Sequence, residues 1–105
     1  MIAKTPSPPY YAVIFTAERT DIDEGYLSMA ERMGELVFQQ PGFLGVEAAG
    51  GESEITVSYW DSPEAIANWK KNLEHGVAQS KGRSTWYKNY KIRVSKVERD
   101  YGFEK

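Results

Sequence analysis

Residues Tyr10 to Ala17 spell YYAVIFTA, apolar or aromatic at odd and even positions alike. The β-branched and aromatic content predicts a strand, and the lack of alternation predicts burial on both faces. Further along, Leu27, Ala30, Met33 and Val37 recur at helical spacing from Glu24 onward, with Asp21 and Asp23 as candidate N-caps. Gln39-Gln40-Pro41-Gly42 ends that helix, because proline cannot continue it and glycine permits the turn. Two alternating runs follow, Phe43 to Ala49 and Glu54 to Trp60, joined by Gly50-Gly51. In the first, Leu44, Val46 and Ala48 share a face. In the second, Ile55, Val57 and Tyr59 alternate against Thr56, Ser58 and Trp60. Such a pair around a glycine link predicts a β-hairpin.

Asp61-Ser62-Pro63-Glu64 announces a second helix, with Ser62 as N-cap and Pro63 at the first helical position. Its stripe is Ile66, Trp69 and Leu73. Asn72 is a candidate break, with a short helical piece beyond it to about Ser80. After the polar link Lys81 to Ser84, Trp86 to Glu98 predicts a long strand. Tyr90, Ile92 and Val94 alternate there, and a phase slip is expected before Val97. The order β-α-β-β-α-β is the split βαβ, or ferredoxin-like, arrangement of the α+β class. Residues 10–105 form one domain, and the three prolines of residues 1–9 predict an extended, flexible N-terminal arm.

In this topology both helices cover one face of the sheet. The doubly apolar first strand, in a chain that is 13% aromatic, therefore calls for a cover on the other face. Packing two sheets face to face would supply one, which predicts a homodimer. Composition narrows the chemistry. The absence of cysteine removes disulfides and thiolate catalysis and fits a reducing compartment, so a cytoplasmic location is expected. One histidine cannot make a histidine-cluster metal site. A net charge of −2, from 13 basic and 15 acidic residues, gives no pull towards nucleic acid. No window approaches the roughly 20 apolar residues that span a membrane. A nucleotide-binding loop and a Ser–His–Asp pattern are also missing, so neither flavin nor metal is expected.

Candidate chemistry concentrates between Trp60 and Tyr90. Trp69 shares the stripe with Ile66 and Leu73, so it is either a core residue or the lining of a pocket beneath the helix. His75 falls off that stripe if the helix runs on ideally, and turns inward only if Asn72 restarts it. Arg83 is either a surface charge or a clamp for an anion. Trp86 and Tyr87 open a strand, so one of them faces the core whichever way the strand lies.

The stretch YWDSPEAIANW, followed by EHGVAQSKGRSTWY and the closing strand, resembles the antibiotic-biosynthesis monooxygenase family. The resemblance runs from about Tyr10 to Phe103. It implies a dimeric α+β barrel. It also implies oxidation of flat aromatic substrates by O₂ without flavin, haem or metal, the substrate anion itself reducing oxygen. Trp69 matches the family's helix tryptophan, Asn68 or Asn72 its asparagine, and Arg83 its arginine. A haem-degrading branch of the superfamily has a helix tryptophan and a following histidine, here Trp69 and His75. That branch also carries an asparagine on the first strand, where this chain has Val13-Ile14-Phe15-Thr16.

The leading expectation is a cofactor-independent monooxygenase of a small phenolic or quinol substrate. In it, Arg83 and Asn72 steady the developing oxyanion and His75 takes the proton, as an imidazole, whose unperturbed pKa lies near about 6.5, can do. Trp69, Asn68, Trp86 and Tyr87 would hold the ring. The alternatives are haem binding or degradation through His75 and a non-catalytic small-molecule-binding dimer.

Overall fold

The computed structural model describes residues 2–75 and 85–105, with the side chains of Glu74 and His75 outside the description. The elements are β1 (Tyr10–Arg19), α1 (Tyr26–Val37), β2 (Phe43–Gly50), β3 (Ser53–Trp60), α2 (Pro63–His75) and β4 (Tyr87–Val97). They build a four-stranded antiparallel sheet in the order β2-β3-β1-β4, the ferredoxin-like α+β topology expected from the pattern.

The pairing register assigns every strand residue a face. Tyr11, Val13, Phe15 and Ala17 of β1 stand opposite Trp60, Ser58, Thr56 and Glu54 of β3, and this row faces the helices. Trp60, fully buried, is the centre of the core with Val37 of α1 and Ala65 of α2. Tyr11, Val13, Phe43, Ile66 and Trp69 pack around them. The indole N–H of Trp60 donates to Ser58 Oγ at 2.9 Å, so the buried donor is satisfied. On the opposite face lie Tyr10, Ala12, Ile14 and Thr16 with Tyr59, Val57 and Ile55. The clean apolar alternation of β3 therefore points away from the helices, and Ile55 is 48% exposed there.

One corner of that outer face is covered by the chain's own ends. The Ala3 amide donates to Glu47 Oε2 at 2.8 Å, and the Tyr59 hydroxyl donates to Glu47 Oε1 at 2.7 Å. A Cβ on Gly45 would come within 2.9 Å of the Ala3 methyl, so glycine lets the arm approach. Tyr10, edge-on to Tyr59, donates its hydroxyl to Asp100 of the C-terminal tail. That hydrogen bond, with burial, holds its pKa above the usual tyrosine value.

Three local expectations are corrected. Neither Asp21 nor Asp23 caps α1. The N-cap is Gly25, at φ 80°, and Asp23 is engaged by the Arg19 guanidinium at 2.9 Å. α2 runs unbroken through Asn72 to His75, with Ser62 Oγ accepting the Ala65 N–H at 3.1 Å as expected of its cap. The irregularity in β4 is not near Val97, which pairs regularly with Tyr10. It sits at the other end, where Glu18 pairs with Asn89 but Arg19 with Tyr87, leaving Lys88 as the extra residue.

Candidate functional site

The bulge at Lys88 decides which aromatic residues meet. Without it, Tyr87 and Tyr90 would point to opposite faces; with it, both reach the helix-facing side. Phe15 stacks on Tyr90 at 5.6 Å between ring centroids and meets Tyr87 edge-on at 5.5 Å. Tyr87 in turn lies edge-on to Tyr26, the first residue of α1, at 6.1 Å. Two residues along β1, Val13 packs against the Trp60 cluster, on which Trp69 stacks at 6.2 Å. The tryptophan and phenol groups thus flank a step from Val13 to Phe15 of roughly 7 Å along the strand.

On β4, Val94 and Ile92 stand beside Val13 and Phe15 on the same face, yet remain 57% and 52% exposed. Helix α1 does not close over them. Among its residues only Val37 is buried, while Leu27 is 68% exposed. The result is an apolar shelf of Val13, Phe15, Ile92 and Val94, bounded by Trp69 at one end and Tyr87 at the other. Such a shelf suits a flat apolar ring, and the phenols at its edge supply polar atoms that can orient one.

The polar edge is a connected set. The Tyr26 hydroxyl donates to Glu54 Oε2 at 2.6 Å. Burial first, then hydrogen bonding to Tyr26 and the nearby Glu54 carboxylate, push the Tyr87 phenol far above its usual value. Tyr26 is raised too, by burial and by Glu54. The Arg19 guanidinium lies 3.4 Å over the Tyr26 ring and also donates to the carbonyls of Ile22 and Trp86. That fixes the ring in place.

The other expected site residues fall elsewhere. The Trp86 N–H donates to the Glu24 carbonyl at 2.8 Å, and the ring is buried against Gly25 and Tyr26. Trp86 thus pins the start of α1. Asn68 is exposed. Asn72, also exposed, donates to Gln40 Oε1 at 2.7 Å and ties α2 to the end of α1. The side chain of His75 and the whole of Arg83 lie outside the described residues. The sequence pattern missed Tyr26 and Glu54. The one signal for Glu54 was its place in the polar row of β3, whose last member, Trp60, is a core residue.

A second concavity, an open surface groove lined by Arg19, Thr20, Asp21, Asp23, Gly51 and Glu52, contains none of the expected site residues. Among the described residues no three histidine, aspartate or glutamate side chains gather as a metal site would require. No described helix is long and apolar enough to cross a membrane.

No family model matches the chain. It is 53% identical over 106 residues to the uncharacterized protein YqjZ of Bacillus subtilis strain 168, covering 98% of this chain and 92% of that one. The chain belongs to the YqjZ family. Among solved structures, it is similar to SnoaB, a cofactor-independent oxygenase from Streptomyces nogalater, with a TM-score of 0.65 and 14% identity over 82% of this chain and 90% of that one. It is also similar to MhuD, a haem-degrader from Mycobacterium tuberculosis, with a TM-score of 0.55 and 20% identity over 87% and 99% of the two chains. At these identities the likeness is one of fold. This member of the YqjZ family has the fold of the antibiotic-biosynthesis monooxygenases.

Proposed function

We propose that this protein is a cofactor-independent monooxygenase that oxidises a small, flat phenolic or quinol-type substrate with O₂, and that it works as a homodimer. The observation that carries the reading is the open apolar shelf between Trp69 and Tyr87, on the helix-facing side of a fold shared with an oxygenase. A flat ring lying on Phe15, Ile92 and Val94 would bring its polar edge to Tyr87. Loss of a proton leaves an electron-rich anion that can itself reduce O₂. An activated CH₂ plus O₂ then becomes a carbonyl plus H₂O, with no further reductant consumed. Arg83 remains the proposed partner for the developing negative charge, and His75 one proposed proton acceptor. Asn72, bonded to Gln40 on the surface, is not assigned that role. The homodimer rests on the apolar row of the outer face, where Ile14 and Val57 are half-buried and Ile55 is exposed.

The test is O₂ uptake during aerobic incubation with an anthrone and, separately, a naphthoquinol. Uptake above the uncatalysed rate in protein free of flavin and metal is the expected result. Binding without uptake would favour a non-catalytic binding protein, and neither binding nor uptake would overturn the reading of the shelf.

A further inference from the structure

We propose that Tyr87, Tyr26 and Glu54 form a proton relay leading away from the shelf, with Glu54 as its terminal acceptor. The inference rests on the shelf being the ligand site, and deepens that reading by naming where the ligand's proton goes. Tyr87 is the member that reaches the shelf, edge-on to Phe15. Its ring stands edge-on to Tyr26 at 6.1 Å, its phenol interacts with both Tyr26 and Glu54, and the Tyr26 hydroxyl donates to Glu54 Oε2 at 2.6 Å. Tyr87 therefore reaches the carboxylate both through Tyr26 and directly, and Glu54 is the one carboxylate of the three.

The environment supports passage of a proton. Burial disfavours a phenolate at either tyrosine, so neither is a resting place for charge. The base at the end of the line is a carboxylate at the hairpin, four residues beyond Gly50. Arg19 above the Tyr26 ring is held by Asp23, and its contact with the ring fixes the middle member of the chain. In the step, an acidic O–H or C–H bond of the ligand breaks and its electron pair stays on the ligand. Its proton joins the Tyr87 oxygen, the Tyr87 proton moves to Tyr26, and the Tyr26 proton moves to Glu54. The products are a ligand anion and a neutral Glu54. The net change is one proton transferred, with no oxidant required, so this step can be separated from the reaction with O₂.

That separation gives the experiment. Anthrone, whose CH₂ is acidic, is incubated with the full-length protein under strict anaerobiosis in D₂O, and loss of the CH₂ signal is followed by proton NMR. Binding is measured in parallel by fluorescence quenching. The wild-type protein is expected to accelerate the exchange. Glu54→Gln keeps an oxygen to accept from Tyr26 but is no longer a base, and Tyr26→Phe removes only the central hydroxyl. Glu54→Gln is expected to lower the exchange rate about 100-fold or more and Tyr26→Phe by a smaller factor, since Tyr87 also meets Glu54 directly, while the dissociation constant stays within about twofold in both. Glu54→Asp is expected to recover part of the loss. Exchange at the wild-type rate in Glu54→Gln would overturn the relay while leaving the shelf intact. So would loss of exchange in His75→Gln alone, which would make His75 the acceptor. Failure of the wild-type protein to bind anthrone would remove the shelf reading and the relay together.

Discussion

Two glycines offer the same chemical change with opposite expected signs. Gly42, between α1 and β2, has φ +85°, and its carbonyl accepts the Asp61 N–H at 2.9 Å. A methyl there would run into Asp61 Oδ1 and lie 2.6 Å from the Ala65 Cβ. The Asp61 carboxylate can rotate aside, but the Ala65 Cβ belongs to the buried side of α2 and moves only with the helix. The left-handed backbone costs a non-glycine residue about 1–2 kcal/mol, and overpacking a core contact about 1–3 kcal/mol. Gly42→Ala should therefore destabilise the fold by about 2–5 kcal/mol, a fall in Tm of roughly 10–25 °C for a domain of this size. Gly34, in the middle of α1, has nothing within 4 Å of its would-be Cβ. Gly34→Ala should stabilise by about 0.5–1 kcal/mol, because alanine loses less backbone entropy in a helix. Calorimetry or urea unfolding at one fixed protein concentration, so that any dimerisation is held constant, reads both. A Gly42→Ala protein within about 1 kcal/mol of wild type would refute the packing of α2 against the β2 entry described above.

Trp69→Phe should keep the stack on Trp60, leave the dimer folded and weaken a flat aromatic ligand about 2- to 12-fold if the indole N–H serves it; unchanged turnover in Trp69→Phe and in Trp69→Leu would remove this residue from the site. Sedimentation should give a dimer at micromolar concentration, and Val57→Lys on the outer face should split it; a wild-type monomer would end the face-to-face proposal. The Tyr59 hydroxyl and the Ala3 amide lower the pKa of Glu47, so its contribution to stability is present above about 4.5 and is lost as pH falls through the lower folded value. Burial, then Glu47, pushes Tyr59 up to about 12, so its contribution is whole below 10 and lost as pH rises towards 12. Both pH responses should shrink in Glu47→Gln, and urea midpoints with identical pH profiles in the two proteins would contradict the network. Elemental analysis and absorbance of the purified protein should show no stoichiometric metal, flavin or haem; any of them would redirect the chemistry.

The order of elements was legible because each strand and helix carries its own period, and the Ser62 cap and Gly50-Gly51 turn are local signals. The start of α1 was not, since Asp23 looks like a cap until Arg19, four residues earlier, is seen to hold it. Asn72 looked like a break because its type is a poor helix former, whereas its bond to Gln40 keeps it on a continuous helix surface. In the candidate site, Trp69 stood out on the apolar stripe of α2 and Tyr87 as an aromatic at the start of a strand. Tyr26 and Glu54 did not, because 28 residues separate them and only the seating of the start of α1 over β3 brings them together. The polar row of β3 pointed the same way, but alternation alone does not say which side faces the helices.

The extra residue at Lys88 bears on how such a site can change over generations. Side-chain direction in a strand has a period of two, so losing one residue there would turn Tyr87 to the other side of the sheet while β4 kept its pairing from Asn89 onward. Tyr26 would lose Tyr87 as a neighbour without any substitution. Among descendants of this fold, the length of the segment entering β4 is therefore a sharper marker of shared chemistry than percentage identity. A protein with all three phenol and carboxylate residues but without the extra position at the start of β4 should not present them to the same ligand.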